Sequence, residues 1–413
     1  MSESRSRAFQ TIRHRDFRLL WCADTISAFG TQMQRVAITW QVFELTNSAF
    51  QLGLLGLFRF LPTLAFGLIG GVAADQRDRR HILIWTQLCM MLSTGILAVT
   101  TYTGSVNLLL IYGVTFLSSS ISALSNPSKQ ALIPALVPRR ELVGAAAVVN
   151  LSMQTASVIG PAVGGVVIGV AGVGTAYLID SLSFLAVIVA VLAMRARPEQ
   201  IALTSRGVKA AVEGLKFLWA TPILLVVMVL DFMATYFGAS TTLMPIFAET
   251  VHHVGAQGLG LLLSSAAVGA VIGGVVLGSL PVPQRPGRVI VLAIIGYGVC
   301  IAGFGLSRSM PLAMLFLAGS GAADSVSMAM RHSIRNLVTP DEYRGRVAAS
   351  HSTFAQGGPQ LGELQAGTLA SFFGAPAAVA FGGIMTVVTC VLASRKVPAL
   401  FAYHTDDGES PAG

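Results

Sequence analysis

Residues 70–83 have the sequence GGVAADQRDRRHIL, and this stretch decides the fold because it joins two long apolar runs. The first of these covers about residues 49–74, and the second follows almost at once. Arg77, Arg79 and Arg80 crowd the short gap between them. Each flanking run is long enough to cross a hydrocarbon core of about 30 Å, which takes about 20 helical residues. The stretch is therefore predicted to be a polar loop at one face of a membrane.

The same alternation of apolar runs and basic gaps extends along the chain. Every second gap is basic, and together these gaps hold 24 of the 27 Lys and Arg residues, at the N-terminus and within 77–80, 129–140, 195–216, 285–288, 331–346 and 395–396. The gaps in between hold only Arg308. Lys and Arg near span ends stay on the cytoplasmic side. The pattern predicts a multi-pass protein with both termini in the cytoplasm and an even number of crossings.

Composition supports a bilayer as the solvent of this chain. Charged residues make up 11% and hydrophobic residues 54% of the sequence, too few polar groups to cover a soluble protein of this size. We predict an all-α membrane protein with twelve transmembrane helices at about residues 17–45, 49–74, 82–103, 107–127, 141–170, 174–194, 219–248, 256–280, 288–307, 311–334, 346–370 and 373–394. The strict alternation typical of membrane barrel strands is absent.

The longest internal polar stretch divides the predicted spans into six and six. We expect an N-terminal six-helix lobe at 1–194, a cytoplasmic linker at 195–217, a C-terminal lobe at 218–396 and a cytoplasmic tail at 397–413. The two lobes resemble each other in sequence. KQALIPALVPRREL at 129–142 corresponds to RHSIRNLVTPDEYR 202 residues later, whereas the GPxxG motifs that begin at Gly160 and Gly358 are 198 residues apart. A duplicated six-helix unit with a four-residue slip explains both spacings.

Ionisable residues inside the predicted spans are the main functional signal. Each costs at least about 2.5 kcal/mol to insert and seldom persists without a use. They are Asp24, Arg35, Arg59, Asp180, Asp231, Asp324 and Glu363. Asp24, Thr31 and Arg35 share one face of the first helix. Asp24 and Asp180 lie near span ends, where a structural hydrogen-bonding role is an equal alternative.

Several motifs resemble those of the major facilitator superfamily. GGVAADQRDRRHIL is similar to its GxLxDRxGRR loop signature, although Gln76 and Asp78 replace the usual Arg and Gly. The sequences NPSKQALIPALVP, IGPAVGGVVIG, YLIDSLSFL and QLGELQAG resemble its drug and siderophore exporter branch, which contains enterobactin-exporter-like proteins. The fourth span lacks the Arg of proton-coupled antiporters, and Ala156 replaces the first Gly of the antiporter motif in span five.

The resemblance implies a secondary active transporter that exports a drug-like, lipophilic or siderophore-type molecule across the cytoplasmic membrane by alternating access, driven by proton influx. Spans one, four, seven and ten would line a central cavity, in which Arg35 and Arg59 would face Asp231, Asp324 and Glu363. Conformational gating would use the loop residues Gly71, Asp75, Arg79 and Arg80 and the span-five residues Gly160, Pro161, Gly164 and Gly165. One chain would enclose a complete pathway, so we expect a monomer.

Other classes of protein fit the sequence less well. An importer or facilitator of a small metabolite stays open, as does a receptor or scaffold that does not transport. No phosphate-binding GxxxxGK[ST] loop, GxSxG or HExxH motif occurs, so we expect neither an ATP-driven pump nor an enzyme, and no cofactor. The four cysteines lie in apolar spans without CxxC spacing, which predicts no metal site. The cytoplasmic loops account for the net charge of +8, so the expected partners are the lipid bilayer, the substrate and protons, and no nucleic acid.

Overall fold

A computed structural model describes residues 11–76, 79–132, 135–195, 216–281, 283–340 and 343–396. Twelve long helices account for most of these residues: α1 Arg15–Thr46, α2 Ala49–Gln76, α3 Arg79–Tyr102, α4 Leu108–Leu132, α5 Leu142–Ala171, α6 Val173–Ala193, α7 Pro222–Phe237, α8 Gly255–Ser279, α9 Pro286–Leu306, α10 Met310–Val338, α11 Arg344–Phe373 and α12 Ala375–Lys396. After α7 the chain continues through a 3₁₀ turn at Thr241–Leu243 and a π-helical turn at Phe247–Val251.

Ten of these helices are long and apolar enough to cross a membrane by length and composition. The other two, α1 and α11, contain 32 and 30 residues and are long enough, but they are the most polar of the twelve. Gln34 and Gln41 are buried in α1, and Glu363 is buried in α11. The prediction of an all-α, multi-pass membrane protein is confirmed.

Glycine and proline mark the ends of several helices. Gly172 and Gly374 separate α5 from α6 and α11 from α12, with φ angles of 81° and 83°. Only glycine adopts such angles without strain, so each ends one helix and lets the next begin at once. Proline begins α7 and α9, where its missing N–H has no helical partner to lose.

The helices form two compact units. Within the described residues, unit 1 holds α1, α3 to α6, the part of α2 after residue 60, and residues 256–260 of α8. Unit 2 holds residues 46–60, α7, the rest of α8, and α9 to α12. Each unit has its own apolar core, which includes Phe17, Leu83 and Leu132 in unit 1 and Leu224, Ile290 and Ile334 in unit 2.

The two halves of the chain repeat with constant spacings. The starts of α1 and α7 are 207 residues apart, those of α2 and α8 206, and those of α3 and α9 207. The starts of α4 and α10, α5 and α11, and α6 and α12 are each 202 apart. The spacing shortens because α9 has 21 residues against 24 in α3, and because the gap that follows it is also shorter. A spacing of 207 before this point and 202 after it therefore identifies equivalent residues.

The four-residue slip predicted from the GPxxG motifs is wrong. A Cβ on Gly160 would lie 2.6 Å from Gln32 Cβ, and a Cβ on Gly362 would lie 2.8 Å from Ala239 Cβ. Gln32 and Ala239 are themselves 207 residues apart, so Gly160 corresponds to Gly362, at the spacing of 202. The motif match had placed Gly160 opposite Gly358, because the same four-residue pattern recurs one helical turn away.

Candidate functional site

The second half contains a buried group of three charges on α7 and α10. Arg331 Nη1 lies 2.7 Å from Asp231 Oδ1, and Arg331 Nη2 lies 3.5 Å from Asp324 Oδ1. The side chains of Arg331 and Asp231 are 5% and 9% exposed, whereas that of Asp324 is 46% exposed. Asp324 and Arg331 are seven residues apart on α10, about two helical turns, which places them on one face. One guanidinium thus serves two carboxylates, one of which remains accessible.

Sequence reasoning missed Arg331 as a site residue. It was grouped with the basic gap after the tenth span, but α10 continues to Val338 and buries Arg331. Hydropathy alone places such a residue at a span end, because a charged side chain lowers the local average. The signal that could have found it is the seven-residue spacing from Asp324.

The first half contains an ion pair between α1 and α4. Lys129 Nζ is paired with Asp24 Oδ1, and their side chains are 26% and 10% exposed. Lys129 had also been grouped with a basic gap, whereas the structure places it inside α4, which ends at Leu132. The carboxylate that sequence reasoning left open for a structural role therefore has a cation beside it.

A second ion pair of the second unit joins α2 and α11. Arg59 Nη1 lies 3.4 Å from Glu363 Oε2, and the two side chains are 21% and 10% exposed. Small residues allow this approach, since a Cβ on Gly56 would lie 2.8 Å from Glu363 Cβ and one on Gly53 would lie 3.0 Å from Gly367 Cα. The structure thus brings two of the predicted site residues together.

The remaining charged residues of the first half lie apart from these pairs. Arg35 is on an exposed face of α1, where its Nη1 donates to Gln32 Oε1 at 3.2 Å. The predicted polar stripe on α1 therefore runs from buried Asp24 to exposed Arg35. Asp180 on α6 is fully buried and packs against α1, where a Cβ on Gly30 would lie 2.8 Å from its Oδ1.

Aromatic side chains lie close to the charged groups of unit 2. The rings of Phe232 and Tyr236 stack with their centroids 6.0 Å apart, and Phe354 meets Phe232 edge to face at 6.3 Å. A Cβ on Gly357 would lie 3.1 Å from the ring of Phe60. None of the four rings is fully buried. An apolar surface suited to a lipophilic molecule thus lies beside Arg59 and Asp231 in sequence.

Of the predicted loop signature, the structure describes the side chain of Arg80. Its Nη2 donates to the carbonyl oxygens of Val191 and Met194, at 2.7 and 3.1 Å. These carbonyls are at the C-terminal end of α6, where helical partners run out, so Arg80 satisfies them. The side chains of Gly71, Asp75 and Arg79 lie outside the described residues.

The small residues of α5 form two packing faces rather than one. Gly160 and Gly164 face α1, and a Cβ on Gly164 would lie 3.1 Å from Met33 Cα. Gly165 faces the start of α8, and a Cβ there would lie 3.0 Å from Gly260 Cα. Pro161 lies between these positions inside an unbroken helix. Each face brings two backbones close together, as small residues do in membranes.

Among the residues that the structure describes, no three His, Cys, Asp or Glu side chains are grouped to hold a metal ion. The chemistry that the described site offers is exchange of protons and ions at paired charges.

Comparison with known proteins identifies relatives along nearly the whole chain. The model of the family described as transmembrane secretion effector (MFS_3) matches residues 6–408. The enterobactin exporter EntS of Citrobacter koseri is 25% identical over 379 residues, covering 92% of this chain and 91% of that protein. EntS of Escherichia coli O81 is 26% identical over the same lengths.

Solved structures of transporters share the fold. A bacterial homologue of the human lysosomal transporter Spinster, in an inward-facing and unoccupied conformation, matches with a TM-score of 0.74 at 16% identity, over 96% of this chain and 99% of that one. A peptide transporter with bound alafosfalin matches with a TM-score of 0.75 at 12% identity, over 97% and 99%. These matches include α1 and α11, so all twelve helices belong to the common fold. The chain is a member of the transmembrane secretion effector family of the major facilitator superfamily.

Proposed function

We propose that this protein is a secondary active exporter that moves a small molecule out of the cytoplasm by alternating access. The family match and the exporter relatives support this proposal. Because those relatives are named enterobactin exporters, a siderophore is the first substrate class to test, followed by lipophilic drug-like molecules. The protein would lie in the cytoplasmic membrane with both termini inside, and a monomer would suffice.

We further propose that proton influx drives export, and the observation that carries this is the sharing of Arg331 by Asp231 and Asp324. With all three groups ionised, one positive charge faces two negative charges. Excess negative charge in a low-dielectric site favours binding of a proton. Asp324 is the exposed member, so it is the carboxylate that exchanges protons with water, while Asp231 keeps the guanidinium in place. Proton binding then alters the Arg331 contacts and biases one of two conformations.

The remaining predicted residues receive supporting roles in the same proposal. Asp75 and Arg79 would form a charge latch at the loop between α2 and α3, and Arg80 would tie that loop to the end of α6. The Arg59–Glu363 pair would join α2 to α11 in one conformation and open in another. Gly160, Pro161, Gly164 and Gly165 would let α5 slide against its neighbours.

The test uses purified protein in vesicles with an imposed proton gradient. Uphill movement of enterobactin, and separately of lipophilic dyes, should require the gradient in the wild type. Asp324→Asn and Asp231→Asn should abolish uphill movement while downhill exchange persists, because the substrate path stays intact. Glu44→Gln, which neutralises an exposed carboxylate on α1, should leave both unchanged.

Three results would contradict the proposal. Uphill efflux that survives gradient collapse, or that survives in the Asp231→Asn, Asp324→Asn double variant, rules out this proton site. Movement only down the substrate gradient indicates the facilitator alternative, and accumulation in the opposite direction indicates an importer. Binding without any movement in vesicles favours the receptor or scaffold alternative.

A further inference from the structure

The internal repeat places the two main ion pairs at equivalent positions. Asp24 and Asp231 are 207 residues apart, the spacing of the helices that carry them. Lys129 and Arg331 are 202 apart, again the spacing of their helices. Each half therefore pairs a carboxylate on its first helix with a cation on its fourth helix. The spacing comes from helix starts and glycine contacts, so the match of the charges is an independent observation.

One position distinguishes the two groups. The residue equivalent to Asp324 is Ser122, 202 positions earlier and seven before Lys129, just as Asp324 is seven before Arg331. In the first half a small hydroxyl thus stands where the second half has its second carboxylate. Access differs as well, because the Lys129 side chain is 26% exposed and that of Arg331 is 5% exposed.

We propose that an anionic group of the transported molecule binds Lys129 in the place that Asp324 occupies beside Arg331. The proposal rests on the transport function above and adds a substrate class, namely molecules that carry a carboxylate, phenolate or phosphate. The second half shows that this framework holds one cation between two anionic oxygens. An ammonium has three donors on a flexible stem, so Lys129 can bind a substrate oxygen while it stays beside Asp24.

Equilibrium binding to the purified full-length protein in a neutral detergent tests this directly. The probe is carboxyfluorescein, followed by fluorescence anisotropy, with cationic tetramethylrhodamine ethyl ester as a dye of similar shape. Lys129→Met should weaken carboxyfluorescein binding about tenfold or more, the effect of one lost charge-assisted hydrogen bond. Lys129→Arg should retain most of it.

Ser122→Asp supplies the sharper test. A tethered carboxylate should occupy the anion site and weaken carboxyfluorescein binding about tenfold, because it competes at close range. Ser122→Asn introduces a side chain of the same size without charge and should bind nearly as the wild type does. Binding of the cationic dye should not fall in any of these variants.

The proposal is overturned if carboxyfluorescein binds the wild type no better than the cationic dye does, or binds Lys129→Met as tightly as the wild type. Equal weakening by Ser122→Asp and Ser122→Asn also overturns it, since bulk rather than charge would then matter. No proton gradient is present, so a failure here leaves proton-coupled export standing. Intact anion binding without gradient-driven transport rejects the proposed coupling alone.

Discussion

The ion pair of α1 and α4 and the charged group of α7 and α10 occupy equivalent places but carry different charges. Asp24 and Lys129 sum to zero, whereas Asp231, Arg331 and Asp324 sum to minus one when all are ionised. The backbone framework is the same, so the difference comes from side chains alone. A duplicated scaffold thus fixes where charge can be placed, and one position, Ser122 or Asp324, decides whether the group needs a proton.

The packing contacts of the two halves follow the same rule. A Cβ on Gly165 would lie 2.5 Å from the Ala256 carbonyl oxygen, and a Cβ on Gly367 would lie 2.6 Å from that of Ala49. The close backbone approach is therefore repeated. The Arg59–Glu363 ion pair is not, because the positions equivalent to these residues are Ala266 and Pro161.

The largest expected effect separates the two cations. Arg331→Met leaves Asp231 buried without its guanidinium and Asp324 nearby, and should lower the free energy of unfolding by about 3–5 kcal/mol. Lys129→Met leaves the single carboxylate of Asp24, so its loss should be smaller. Thermal unfolding of the purified variants in detergent measures the difference. Adding Asp231→Asn to Arg331→Met should recover much of the loss, since it removes the unpaired charge.

Equal losses in Arg331→Met and Lys129→Met would show that the second carboxylate does not matter to stability. A double variant no more stable than Arg331→Met would contradict the charge explanation and point to lost packing of the arginine stem instead.

A smaller effect tests whether the repeated packing is as close as it looks. Gly165→Ala and Gly367→Ala each place a Cβ against backbone atoms that cannot move aside, and each should cost about 1–3 kcal/mol in unfolding free energy. Gly113→Ala is the matched control, because nothing lies within 4 Å of its Cβ position. That variant should gain about 0.5–1 kcal/mol from lower backbone entropy in the unfolded chain.

The two costs should agree within the error of the melting experiment. If Gly165→Ala were tolerated while Gly367→Ala was not, α5 and α11 would differ in packing, and their equivalence would hold for the backbone only.

The fold could be predicted from sequence because hydrophobic length and basic gaps act over whole helices. The predicted boundaries of α5 and α8, for example, lie within a residue of those observed. The charged partners could not be predicted in the same way. Whether Lys129 and Arg331 lie in a loop or inside a helix depends on which neighbouring helix offers a carboxylate. That is a contact between distant parts of the chain, and hydropathy does not contain it.

Some of the site was nevertheless accessible from the residues. Asp24, Asp231 and Glu363 were found because a carboxylate in an apolar span is costly. The equivalence of Asp24 and Asp231 was missed, since the GPxxG match gave the wrong spacing. The closely packed Gly53 and Gly56 were missed as well, because small residues in an apolar run give no periodic signal until their partner helix is known.

The smallest expected effect concerns the ion pair that only one half possesses. Arg59 and Glu363 are partly shielded from water, so their mutual stabilisation should exceed that of a surface pair without reaching that of the Arg331 group. A double-mutant cycle with Arg59→Gln and Glu363→Gln should give a coupling energy of about 1 kcal/mol in thermal unfolding. The same cycle with Arg59→Gln and Glu44→Gln is the control and should be additive, because Glu44 is exposed on α1. Additivity in the first cycle would mean that the pair adds nothing to stability in detergent, and that α2 and α11 are held by their glycine contacts alone, as α5 and α8 are.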